Sequence, residues 1–163
     1  MPSGRFLSIL RTLVSNGVDF IVVGGVAARL RGAPIMTVDL DVVHSTSSQN
    51  LARLLPALDE LDAYYRLQPE LRLRPSTSHL ASPGHQLLMT RFGPLDVLGA
   101  IGKGRTYSDL LPHAVQMEVD ENLRFFVLDL ETQIEIKEKL GGAKDLSMLP
   151  LLRQTLEESR RPR

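Results

Sequence analysis

The chain has 163 residues, 43% of them hydrophobic, with 19 Lys and Arg against 19 Asp and Glu and no cysteine. That length and apolar content suit one domain with a sizeable core, while the balanced charge excludes a polycationic field that grips long nucleic acid. The missing thiols exclude disulfide frameworks and thiolate zinc sites, and no apolar run is long enough to span a bilayer.

Apolar positions at Phe6, Ile9, Leu10, Leu13 and Val14 predict an amphipathic helix over residues 5–15, ending at Asn16-Gly17 where glycine takes the left-handed cap. This is helical periodicity, unlike the continuous apolar run of a secretory leader, so a cytoplasmic protein is expected. Phe20–Val23 predicts a buried strand, Gly24-Gly25 a tight turn, and residues 26–31 a short helix. A second strand is expected to carry Asp39 and Asp41 on one face and Val38, Leu40 and Val42 on the other. Their Cα atoms would stand about 6.5 to 7 Å apart, close enough for two carboxylates to converge on a divalent cation. The same alternation also describes a half-exposed strand with its acids in water.

Serines and a threonine at 45–48 offer caps for a helix with Leu51, Leu54, Leu55 and Leu58 on one face, reaching Leu61. Residues 64–84 are broken by Pro69, Pro75 and Pro83, and predict one short strand at 71–74 and a mobile loop. Residues 86–92, a Gly93-Pro94 turn and residues 95–98 bring a third carboxylate, Asp96, into the sheet between Leu95 and Val97. A glycine-spaced loop (99–105), a short helix (107–112) and a hairpin of 115–119 with Leu123–Leu128 follow. Helices are predicted over Leu130–Leu140 and 146–158, joined by Gly141-Gly142, with a fraying tail at 160–163. The expected architecture is α/β (α+β), a small mixed sheet flanked by helices. Residues 1–163 form a single domain in this reading, with a core at 18–128 and carboxy-terminal helices at 130–158.

Gly24-Gly25, thirteen residues, Asp39-Leu40-Asp41 and a later Leu95-Asp96-Val97-Leu98 together resemble the signature of the DNA polymerase beta-like nucleotidyltransferase superfamily. The resemblance is greatest to its minimal stand-alone members, among them those of toxin–antitoxin and abortive-infection systems. The stretch VLDLETQIEIKEKLGGAKDLSMLPLL is also similar to their terminal helices, where Lys137 and the Lys144-Asp145 pair match recurring positions. The likeness runs over residues 18–156 and leaves 64–84 uncovered.

This resemblance implies a nucleotidyltransferase fold and transfer of a nucleoside monophosphate from a triphosphate to an RNA, protein or small-molecule acceptor. It implies Asp39, Asp41 and Asp96 as ligands of Mg2+ or Mn2+, with Asp96 also helping to deprotonate the acceptor. It places Gly24, Gly25, Thr37, Lys137 and Lys144 against the nucleotide. The residue types suit that chemistry. Hard carboxylate oxygens bind magnesium, two metals about 3.5 to 4 Å apart serve such displacements, and glycines let a phosphate approach the backbone. Amides at the start of the helix after the glycines would point toward that charge. Arg29, Arg31, Lys103 and Arg105 are further cations without an assigned partner.

The chain also departs from the pattern. Relatives often carry an arginine before the Thr-x-Asp step and another before the Lys-Asp pair, where this chain has Ile35-Met36 and Gly142-Ala143. Two other functions therefore stay open: a nucleotide-binding module that turns nothing over, as a toxin–antitoxin component, and a phosphatase or sugar-nucleotide transferase built on Asp-Leu-Asp. A phosphatase site would want a threonine after its second aspartate, and Val42 stands there.

Overall fold

The computed structural model describes residues 3–162; Met1, Pro2 and Arg163, the last residue of the expected fraying tail, lie outside the described residues. Helix α1 (Gly4–Ser15) starts where the Ser3 side chain accepts from the Phe6 amide, and it buries Phe6, Ile9, Leu10 and Leu13. Strand β1 (Phe20–Val23) is buried throughout and turns directly into helix α2 (Gly24–Leu30). Strand β2 (Leu40–His44) is shorter than expected. Asp39 lies just before it, because the Thr37 hydroxyl donates to the Asp39 carbonyl at 3.2 Å and holds this stretch in a local turn. Val38 consequently stands 76% exposed instead of packing beside Leu40.

Helix α3 (Ser48–Glu60) is capped by Ser47. The segment expected to be a strand at 71–74 and a loop is built differently. A two-residue edge strand β3 (Tyr64–Tyr65) comes first, then a 3-10 turn (Pro69–Leu71), then a short helix α4 (Thr77–Ala81) with a Ser76/His79 capping box. Arg72 in the left-handed region (φ 48°) reverses the chain, so that Leu73 supplies only its carbonyl, accepting from the Tyr65 amide at 2.8 Å. Strands β4 (His85–Thr90) and β5 (Gly93–Leu98) form a hairpin. The expected loop at 99–105 is a small two-stranded ribbon, β6 (Ala100–Ile101) with β7 (Arg105–Thr106). Helix α5 (Tyr107–Leu110), strands β8 (Ala114–Asp120) and β9 (Leu123–Leu128), and helices α6 (Leu130–Leu140) and α7 (Ala143–Ser159) complete the chain.

The main sheet has the order β3-β4-β5-β2-β1-β9-β8. It is mixed: β1 runs parallel to β9 and β2 parallel to β5, while β1/β2, β3/β4, β4/β5 and β8/β9 are antiparallel. Side-chain alternation divides the strands between two cores. Phe20, Val22, Leu40, Val42, Leu95, Val97, Phe125 and Val127 face α1 and α3, whereas Ile21, Val23, Val43, Leu98 and Leu128 face Leu110 of α5 and Ile136 of α6. Asn50, 1% exposed, ties the first layer together: its side-chain oxygen accepts from the Asp19 amide at 2.7 Å and its amide donates to the Asp19 and Ser45 carbonyls. Helices α6 and α7 pack through Leu130, Ile134, Leu149 and Leu152 onto Ala28 of α2.

Candidate active site

The site is set by the β1–α2 turn. Gly24 has φ +68°, a region that an L side chain enters at a cost, and a Cβ there would run into the Asp41 carboxylate. A Cβ at Gly25 would lie 3.0 Å from the Thr37 hydroxyl and 3.1 Å from its Cβ, so the second glycine lets the chain before β2 pack against α2. The double glycine thus brings two backbone segments and one carboxylate together.

Asp41 and Asp96 are register partners on the parallel strands β2 and β5, both on the face opposite Leu40 and Leu95. Neighbouring strands lie about 4.8 Å apart, so the two carboxylates stand side by side. Burial pushes the Asp41 carboxyl up to about 8, helped by a hydrogen bond to Asp96 and by the charges of Asp96 and Asp39, against the opposing pull of Arg66. Asp41 Oδ1 is buried and has no hydrogen-bond partner. Such an orphaned oxygen costs free energy in the metal-free molecule.

Arg66 comes from the segment that sequence reasoning left unread. Its guanidinium donates through Nη1 to Asp96 Oδ1 at 2.5 Å and to the Leu88 carbonyl at 3.1 Å, while Nη2 lies 3.7 Å from Asp39 Oδ2. Its backbone amide donates to the Leu87 carbonyl at 3.1 Å, fixing it beside β4. The bond to Asp96 raises the Arg66 pKa above its ordinary value. Among the described residues no three His, Cys, Asp or Glu side chains form a ready-made metal cage. A guanidinium lies between two of the three carboxylates. The donor set nonetheless fits a hard divalent cation: Asp41 and Asp96 are register partners with Asp39 nearby, Asp41 has an oxygen without a partner, and a bound cation would favour ionised Asp41.

Two clefts flank the carboxylates. One, of about 200 Å³, lies between the ends of β1, β2 and β5, the β6–β7 ribbon and α6; Gly24, Asp41 and Lys137 share it with apolar Leu98, Ile101, Ile136 and Leu140. Lys137 Nζ lies 3.7 Å from Asp145 Oδ1 at this cleft. The other, of about 330 Å³, is lined by Met36, Thr37, Val38, Asp39 and Lys144. Arg29 and Lys103 are exposed, and Arg105 pairs with Glu135 at 3.5 Å. The structure therefore gathers Asp39, Asp41, Asp96, Gly24 and Lys137, sets Thr37 and Lys144 beside Asp39, and turns Gly25 toward Thr37. Arg66 went unread because a two-residue strand has no periodicity to reveal it. The one available signal was the Tyr64-Tyr65 pair directly before it, since aromatic residues favour strands.

No family model matches the sequence, and no curated protein matches it. Solved structures do match over nearly the whole chain, and they define the architecture as a nucleotidyltransferase fold. One is a Thermotoga maritima protein to which nucleotidyltransferase activity is ascribed, with a TM-score of 0.59 and 19% identity over 97% of this chain and 96% of that one. Another is the lincosamide antibiotic adenylyltransferase LnuA in its lincomycin-bound form, with a TM-score of 0.58 and 12% identity over 95% of this chain and 98% of that one. Among the described residues no helix is long and apolar enough to cross a membrane.

Proposed function

We propose that this protein is a metal-dependent nucleotidyltransferase that moves a nucleoside monophosphate from a nucleoside triphosphate to a hydroxyl of a small-molecule acceptor. The observation that carries the reading is the side-by-side pair Asp41 and Asp96, with Asp41 Oδ1 buried and unpartnered. Asp39, Asp41 and Asp96 would hold Mg2+ or Mn2+, which supplies Lewis acidity for the acceptor hydroxyl and neutralises charge on the departing pyrophosphate. The nucleoside would use the apolar cleft of Leu98, Ile101, Ile136 and Leu140, with Lys137 at its phosphates. Thr37 and Lys144 would serve the polar rim of the second cleft.

In the reaction the acceptor oxygen forms a bond to the α-phosphorus while the bond to the bridging oxygen of the β-phosphate breaks. Asp96 takes the hydroxyl proton, and pyrophosphate leaves with the bond's electrons. The acceptor side favours a small molecule over RNA: Met36 and Val38 give the second cleft exposed apolar walls, and the chain has no net charge with which to hold a polyanion. The structural likeness to a lincomycin-bound adenylyltransferase is compatible with this choice.

The test is incubation with α-labelled triphosphates, Mg2+ or Mn2+, and two acceptor pools, one of small metabolites and antibiotics and one of total RNA, followed by sizing of labelled product. Label in small products supports the proposal; label in RNA replaces the acceptor; no transfer by a protein that binds nucleotide supports a binding module instead. The Arg66 contacts with Asp39 and Asp96 favour that second reading, because they engage carboxylate oxygens that a cation would use.

A further inference from the structure

We infer that Arg66 is a resident counter-ion of the carboxylate site, a positioning residue that the metal must displace and whose charge then turns to the nucleotide's phosphates. This rests on the metal-site reading above and concerns a residue outside the three carboxylates. Three observations carry it. The guanidinium spans Asp96 Oδ1 at 2.5 Å and Asp39 Oδ2 at 3.7 Å, so it neutralises two of the groups that would hold a cation. Its third partner is a neutral carbonyl, Leu88 O at 3.1 Å, which cannot hold it once the carboxylates are taken. It sits one residue beyond the two-residue edge strand β3, beside exposed Leu67. Its backbone is held beside β4 by the amide bond to the Leu87 carbonyl, so the long side chain can change partners without disturbing the sheet.

The electrostatics give the device its sign. Three acids packed together repel, and the guanidinium sets its charge directly against two of them, Asp39 and Asp96. A divalent cation entering alone must compete with that fixed charge. A cation entering with a triphosphate offers the displaced guanidinium new anionic oxygens, which suit its planar array of donors. The site would thus discriminate against bare metal and favour the metal–nucleotide complex. Arg66 would also supply a phosphate-binding cation beside the carboxylates.

The experiment compares the full chain with Arg66→Gln. Binding of Mn2+ alone is followed by loss of the free-ion electron paramagnetic resonance signal, and triphosphate binding is measured by calorimetry at saturating Mn2+. Removing one unit charge in contact with two ligands should tighten Mn2+ alone by at least about tenfold. The same change should weaken triphosphate at saturating Mn2+ by about tenfold, the scale of one charge-assisted hydrogen bond. A merely structural role would weaken both, and that result, or unchanged Mn2+ affinity, overturns the inference while leaving the proposed transferase standing. If neither protein binds Mn2+, the inference and the metal-dependent reading fall together. The parent provides an arm that needs no variant. The side-chain 15N resonances of Arg66 should lose protection from solvent exchange as Mg2+ is added, and protection persisting at saturating Mg2+ overturns the inference.

Discussion

Asp41 and Arg66 both press on Asp96, from opposite sides of the charge balance: the first holds a proton against it, and the second donates to it at 2.5 Å. Asp41 needs neutralising because it is buried, and Asp96 already has a cation. The two aspartates, equivalent in register, should therefore respond differently to the same substitution.

Asp41→Asn removes a buried carboxyl that ionises only at a cost. We expect a higher melting temperature for the metal-free variant than for the parent at pH 8, with loss of both nucleotide binding and transfer. Asp96→Asn removes the charged partner of Arg66, so its metal-free melting temperature should fall. Its transfer rate should drop by ~10²–10⁴-fold, as for a lost general base, with a smaller change in triphosphate affinity. Scanning calorimetry and single-turnover kinetics check both. Equal behaviour of the two variants would remove the distinct roles.

The pH dependence follows from Asp41 and His44. Because the folded pKa of Asp41 is raised from 3.8 to about 8, its contribution to stability is fully present below 3.8 and is lost as pH rises toward 8. His44 works in the opposite sense. It is buried, its Nε2 lies 2.7 Å from the Leu80 carbonyl, and burial lowers its pKa, so stability is lost as pH falls below its usual 6.5. Denaturant melts of the metal-free parent and Asp41→Asn from pH 5 to 8 isolate the first effect. The stability advantage of the variant should grow with pH, and an advantage that shrinks contradicts the burial argument.

Nucleotide with metal should stabilise the fold by mass action. At a hundredfold excess over the dissociation constant the gain is about 2.7 kcal/mol, readable as a rise in melting temperature. Triphosphate without metal should give a smaller shift. Absence of any shift with all four triphosphates in Mg2+ or Mn2+ would remove the nucleotide site.

Gly24→Ala combines a left-handed backbone with a Cβ directed into the Asp41 carboxylate. The backbone alone costs roughly 1–2 kcal/mol, and displacement of Asp41 should also weaken metal binding. Gly25→Val meets Thr37 instead, so its first consequence should be lost stability, on the order of 1–3 kcal/mol from overpacking. Chemical denaturation of both variants beside Mn2+ titration separates the effects: Gly24→Ala should disturb metal binding more. The reverse order would show that Gly25 is nearer the ligand site.

Elements with a strong local signal were legible in the sequence. Phe20–Val23 is a continuous apolar run closed by glycines, and Leu130–Leu140 lies between a capping Asp129 and Gly141 at φ +66°; both have the expected bounds. That Asp41 and Asp96 stand on strands of the sheet could be anticipated because both alternate with apolar residues. What holds them apart in charge could not. Arg66 acts through a strand too short for periodicity, and the turn that places it depends on Arg72 at a positive φ and on a carbonyl of Leu73, neither of which a side-chain pattern reports. The displacement of Asp39 out of β2 has the same origin, a single hydroxyl-to-carbonyl bond from Thr37 competing with the ladder.

Strand β3 is two residues long and lies at one margin of the sheet, while the strands bearing Asp41 and Asp96 lie inside it. Chemistry and its counter-ion are therefore mounted on parts of unequal permanence. Insertions or replacements around residues 66–84 can therefore change what approaches the carboxylates, and what charge faces them, without redrawing the Asp41–Asp96 pair.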